Sequence, residues 1–108
     1  MATKKQQQAF YEDALESAIS MGAKNTNTGK LCSSYAIETK AGKLNIHFEE
    51  PEKSKVFSIF CHFEDVSKAK AVLGKSERLN QYSGKWNFHT YNATELLFQF
   101  ESELKPIL

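Results

Sequence analysis

Apolar and polar positions follow two different rhythms along this chain. Between residues 4 and 21, Phe10, Ala14, Ala18 and Met21 recur at spacings of four and three, and Leu15 and Ile19 widen the stripe. That spacing predicts one buried face of an amphipathic helix. Gly22 is its natural stop, because glycine accepts the left-handed backbone a helix end requires. The stretch from Ala23 to Lys30 carries no apolar residue after Ala23 and reads as a polar loop.

The rhythm then changes to two. Leu44, Ile46 and Phe48 alternate with Asn45, His47 and Glu49, the pattern of a strand with one buried face. An even-numbered turn around Ala41-Gly42 sets Thr39 opposite Leu44, Ile37 opposite Ile46 and Tyr35 opposite Phe48. A second turn at Pro51-Glu52-Lys53-Ser54, with Glu50 opposite Lys55, sets Phe48 against Phe57, Ile46 against Ile59 and Leu44 against Cys61. The two turns independently predict one apolar face shared by three strands, and a slip of one residue would expose the whole set. The opposite face carries Ser34, Ala36, Asn45, His47, Ser58, Phe60 and His62. Phe60 stands out there, to be covered either by the first helix folding back or by a second copy of the chain.

Asp65 predicts the cap of a short helix over Val66–Leu73, stopped by Gly74, with Val66, Ala69, Val72 and Leu73 inward. Residues 75–84 read as a loop. Trp86, Phe88 and Thr90 then alternate with Lys85, Asn87 and His89 as a fourth strand. Asn92 followed by Glu95 resembles a capping box. The final helix, about 93–105, buries Leu97, Phe100 and Leu104 with Leu96 beside them, and Pro106 ends it. Phe98 points off that stripe. The expected fold is α+β, a single domain over 1–108 with residues 1–5 as a frayed tail. Its order is α-β-β-β-α-β-α: a four-stranded, largely antiparallel sheet with helices on its apolar face. The fourth strand could join beside the third or beside the first.

Composition narrows the function classes. The net charge is +1, so nothing in the total demands a polyanionic partner. No apolar run approaches the ~20 residues that span a bilayer. Residues 1–8 carry charge without an apolar stretch, unlike a secretory signal. Cys32 and Cys61 fall on opposite sheet faces, so no disulfide is expected and a cytoplasmic setting fits. Asn92-Ala93-Thr94, formally a glycosylation acceptor, reads as a helix cap.

No chemistry-bearing motif emerges. His47 facing Ser58 would leave His62 roughly 13 Å along the strand, too far to share a metal. Ser83-Gly84-Lys85 lacks the earlier glycine and the following Ser or Thr of a phosphate loop, with Leu79 and Trp86 at those positions. No nucleophile has an identifiable base. No catalytic residue, metal or cofactor is therefore expected. The specialised stretch is Asn80–Asn92, which holds the only tryptophan and two of the four tyrosines. It predicts a protein-binding surface made by Gln81, Tyr82, Lys85, Asn87, His89 and Tyr91, with the partner a different protein or a second copy. The alternative is nucleic acid, held by Lys68, Lys70, Lys75, Arg78 and Lys85 with Tyr82 and Trp86 as stacking faces.

Overall fold

The computed structural model of the chain describes residues 3–28, 32–49 and 57–108. The first helix, α1, spans Lys4–Ser20. It opens on a capping box: the Thr3 hydroxyl accepts the Gln6 N–H at 3.2 Å, and the Gln6 side chain accepts the Thr3 N–H at 2.9 Å. It closes at Gly22, which adopts φ +105. Gly22 N–H donates to the Ile19 carbonyl and Ala23 N–H to the Ala18 carbonyl, both at 3.0 Å, the paired bonds of a glycine-terminated helix. Phe10, Ala14 and Ala18 are buried as expected, and Gln7 extends their stripe one turn back. Ile19 does not join it and stands exposed, so the stripe is narrower than the sequence implied.

Five strands follow, not four: β1 Lys24–Thr28, β2 Cys32–Thr39, β3 Gly42–Glu49, β4 Phe57–Phe63 and β5 Phe88–Thr90, in the spatial order of the chain. All neighbours are antiparallel. The expected polar loop is the edge strand β1, paired to β2 with a bulge between Asn25 and Asn27. Lys-Asn-Thr-Asn-Thr has no apolar position to alternate, so periodicity is blind to it. Backbone pairing with β2 holds it instead. The last strand joins beside β4, settling the choice between the two edges.

The registers keep the expected parity but move by two residues. Thr39 pairs with Gly42, Ile37 with Leu44 and Tyr35 with Ile46. The turn is tighter than anticipated because Gly42, at φ +95, is its left-handed residue, and no alanine has to be. The Thr39 hydroxyl locks it, accepting the Ala41 N–H at 3.0 Å and donating to the Gly42 carbonyl at 2.7 Å. Between β3 and β4, Leu44 pairs with Phe63 and Ile46 with Cys61, so Phe63 enters the core. The turn at Pro51–Ser54, with the pairing of Glu50 and Lys55, lies outside the described residues. So does the side chain of Cys32.

The shared face survives the shift. Ile37, Leu44, Ile46, Phe48, Phe57 and Ile59 are buried, Tyr35 packs against them, and His47 points the other way. Helix α2 covers Val66–Leu73, capped by the Asp65 carboxylate on Lys68 N–H at 3.0 Å, with Gly74 ending it. It buries Ala69, whereas Val72 is exposed, against expectation. Helix α3 covers Ala93–Leu104 behind the Asn92 cap. Its buried line is Leu96, Phe100 and Leu104, four residues apart, with Leu97 only half-buried. Helix α1 lies over β3 and β4, and α3 over β4 and β5. A single-turn 3-10 helix, Lys105–Ile107, contains Pro106, and its Ile107 carbonyl accepts the Lys40 N–H. That bond ties the end of the described chain to the β2–β3 turn.

Candidate functional site

The Asn80–Asn92 stretch does not form one surface. Its first part is a tight loop built on Asn80, whose side-chain oxygen accepts the N–H of Tyr82 at 2.9 Å and of Ser83 at 3.1 Å. Asn80 also brackets the loop through its backbone, donating to Lys85 and accepting from Gly84. Tyr82 stands at the tip, 96% exposed, with Gln81 beside it. Lys85 and His89 are exposed on the outer sheet face, Trp86 and Phe88 point inward, and Asn87 between them is half-buried. Asn87 is committed to the fold: its side-chain oxygen accepts the Cys61 N–H at 2.9 Å, continuing the β4–β5 pairing. Tyr91 lies about 20 Å of extended chain beyond Lys85. The predicted anchors Tyr82 and Tyr91 thus sit at opposite ends of the strand.

The basic run is likewise divided. Arg78 is built into the structure: two of its nitrogens meet both oxygens of the Glu103 carboxylate, at 3.4 and 3.1 Å. A third donates to the Asn87 carbonyl at 3.2 Å, and the guanidinium lies 4.1 Å above the Phe88 ring. This clamp, with Leu79 buried beside Trp86, orders the 75–84 loop by packing. Lys68, Lys70, Lys75 and Lys85 are exposed. Trp86 is 1% exposed and cannot stack on a base. The nucleic-acid alternative therefore loses Arg78 and Trp86.

What the sequence did not predict is a groove between the two long helices. One wall is Gln6, Ala9, Phe10 and Asp13 of α1; the other is Thr94, Leu97, Phe98 and Glu101 of α3. Each set has the same spacing of three, four and seven, one stripe of helix surface. Phe57 lies on the floor, edge-on to Phe10 with ring centroids 5.1 Å apart. The groove encloses about 680 Å³. Beyond Asp13 the Ser17 hydroxyl donates to Glu101 at 2.7 Å, bridging the two helices between residues 84 apart in sequence. Among its lining residues stand Tyr91, 75% exposed, and Phe98, 70% exposed. Phe98 off its stripe and Tyr91 in the Asn80–Asn92 stretch were the sequence signals for this place. The partner wall could not be inferred, because nothing local couples residues 6–13 to 94–101.

The outer sheet face is a second surface. Helix α1 packs on the opposite side and leaves Phe60 38% exposed, which removes the fold-back covering. Phe60 pairs with His47, whose Nδ1 is 2.9 Å from the Ser34 hydroxyl. The two-residue register shift also revises the histidine geometry. His62 is two positions from His47's partner, so the pair are diagonal neighbours at ~7–8 Å rather than remote. Among the described residues no group of three or more His, Cys, Asp or Glu side chains could hold a metal ion. Burial pushes the Cys61 thiol far above its ordinary range, outweighing the lowering effect of nearby Arg78. The chain matches no protein-family model, no curated protein and no solved structure.

Proposed function

We propose that this chain is a non-enzymatic interaction domain that binds a protein segment in the groove between α1 and α3. One observation carries the reading: two large aromatics, Tyr91 and Phe98, stand exposed on the rim of a groove floored by Phe10, Phe57 and Leu97. Both rings stand mostly in water, and an occupant would bury them. Tyrosine and other large anchors at the centre of an interface carry most of its energy. Two parallel helical stripes, open along their length, suit a partner helix laid between them. The reading keeps Tyr91 from the predicted surface and replaces Tyr82, Lys85 and His89 with the groove walls.

Cys61 argues in the same direction, since desolvation holds its thiol protonated, the opposite of what a nucleophile requires. A cytoplasmic setting, where thiols stay reduced, suits a buried free cysteine. No helix among the described residues is long and apolar enough to cross a membrane.

The test is site-specific photo-crosslinking in cells expressing the whole chain. A crosslinker at Ala9, on the groove wall, is expected to trap a discrete partner, and one at Phe60 is not. Phe98→Ala should weaken recovery of the Ala9 adduct by about 30-fold, the equivalent of ~2 kcal/mol at an interface anchor. Adducts only from position 60, or adducts at position 9 indifferent to Phe98, would defeat the reading. Steep loss of binding with rising salt at the exposed lysines would instead favour nucleic acid.

A further inference from the structure

The groove carries a charge pattern as well as a shape. Among the described residues its lining contains two carboxylates, Asp13 and Glu101, and no cationic side chain. Asp13 is exposed, on the same helical surface as exposed Glu16 one turn on. Glu101 is half-buried and partly compensated, accepting the Ser17 hydroxyl and lying 3.9 Å from the Lys105 ammonium. Both carboxylates lie toward the Ser17–Glu101 bridge, with Phe98 one helical turn from Glu101 and Tyr91 just before the start of α3. Along each wall the apolar stretch is short: Gln6 to Asp13 is about 10 Å of helix, two turns.

From this we infer that the occupant is a cationic amphipathic helix, some two to three turns long. Its apolar side chains meet Phe57, Leu97 and Phe98, and a Lys or Arg at one end of its apolar face meets Asp13 and Glu101. The inference rests on the groove reading above and adds the chemistry of the partner. The argument is complementarity: an acidic occupant would place like charges beside Asp13 and Glu101, and a neutral one would leave Asp13 partly desolvated with no counter-charge. A helix fits better than a compact ligand because the rim aromatics stand in solvent along an open channel rather than around a closed pocket.

The experiment is selection of a helix-biased displayed peptide library against the whole chain, with parallel selection on Phe98→Ser. Circular dichroism and thermal melting confirm that the variant folds; Tyr91→Ala serves as the second rim variant if it does not. The expected result is enrichment of peptides that carry net positive charge on one flank of an apolar face. Synthetic copies should bind at least 30-fold more weakly to the rim variant. Asp13→Asn should weaken them a further 2–5-fold and flatten their salt dependence, the scale of a part-exposed ion pair. Rim-dependent peptides that are neutral or acidic, or indifferent to Asp13→Asn, would overturn the charge inference and leave the groove reading standing. Failure to obtain any rim-dependent peptide would overturn both. Sedimentation of the chain alone supplies the last arm: self-association abolished by Phe98→Ser would give the groove to a second copy and overturn the cationic helix.

Discussion

Two glycines with the same backbone sign offer a direct test of how closely the 80–85 loop seats on the domain. Gly84 has φ +75, and a Cβ added there would stand 2.7 Å from the Phe63 carbonyl oxygen and 3.1 Å from a Val66 methyl. Gly22 has φ +105, and a Cβ there would meet nothing within 4 Å. Alanine at either position adopts a left-handed backbone at a cost of about 1–2 kcal/mol. Reduced freedom of the unfolded chain returns about 0.4–1 kcal/mol in both cases. Only Gly84→Ala adds the steric term. The obstructing atom is backbone, and it cannot swing away because Phe63 N–H is itself bonded to the Gly84 carbonyl at 2.9 Å. Relief requires the loop or the end of β4 to shift, at roughly 1–3 kcal/mol. Gly84→Ala should therefore destabilise by about 2–4 kcal/mol and Gly22→Ala by about 1 kcal/mol. Urea unfolding followed by fluorescence of the buried Trp86 reads the difference. With a denaturant slope of about 1–3 kcal/mol/M, the two midpoints should separate by about 1 M. Midpoints that coincide would mean that Gly84 does not approach Phe63, and the proposed anchoring of the loop would fail with them.

Other consequences are simpler to read. The Cys61 thiol is held neutral in the fold, so its contribution to stability is complete below the unfolded thiol pKa, near 8.5, and is lost as pH rises above it. Stability measured from pH 8.5 to 10 should fall more steeply in the natural chain than in Cys61→Val, by up to ~1.4 kcal/mol per pH unit; equal slopes would contradict the burial. In a Cys32→Ser background, Cys61 should react with a thiol reagent only at the rate of unfolding. Arg78→Met and Glu103→Gln, tested singly and together by chemical denaturation, should show a coupling of about 0.5–3 kcal/mol. Additive losses would mean that the clamp contributes nothing. Trp86→Phe should cost little for a core change, under about 1.5 kcal/mol by circular dichroism. The indole N–H is buried with no acceptor among the described residues, and removing it relieves a penalty of about 1–3 kcal/mol that offsets the lost area.

Much of the fold was legible because alternation reports parity, and parity is what burial enforces. Ile37, Leu44, Ile46 and Ile59 had to share a face whichever pairs stood opposite. Moving each register by two residues therefore left the core intact. The exact pairing depends on which residue of the turn takes the left-handed conformation, and Gly42 taking it shortened the first hairpin. Strand β1 was invisible because an exposed edge strand of Asn and Thr buries nothing that could pattern its sequence. On α3, Leu96 and Leu97 are adjacent and equally apolar, so the helix's rotation, not its composition, decided that Leu96 goes inward. The Asn80–Asn92 stretch read as one site because its notable residues are close in sequence. A strand separates such residues onto two faces and two ends, and this one does both.

The groove follows from how two helices share one face of the sheet. The Ser17–Glu101 bond fastens the two helices to each other beyond Asp13. One turn before Ala14, α1 carries Phe10, whose ring meets Phe57 edge-on on the groove floor. The stripes that hold each helix to the sheet, Phe10-Ala14-Ala18 and Leu96-Phe100-Leu104, are complete without Ala9, Asp13, Thr94 or Phe98. Exposed surface substitutions of this kind are usually worth less than ~0.5 kcal/mol to folding. An aromatic ring in water there lowers solubility and stabilises nothing. Its transfer free energy is realised only when another surface covers it. Under the proposed reading an occupant of the groove would cover Phe98 and Tyr91, both of which line it, whereas Tyr82 stands at a loop tip outside that lining.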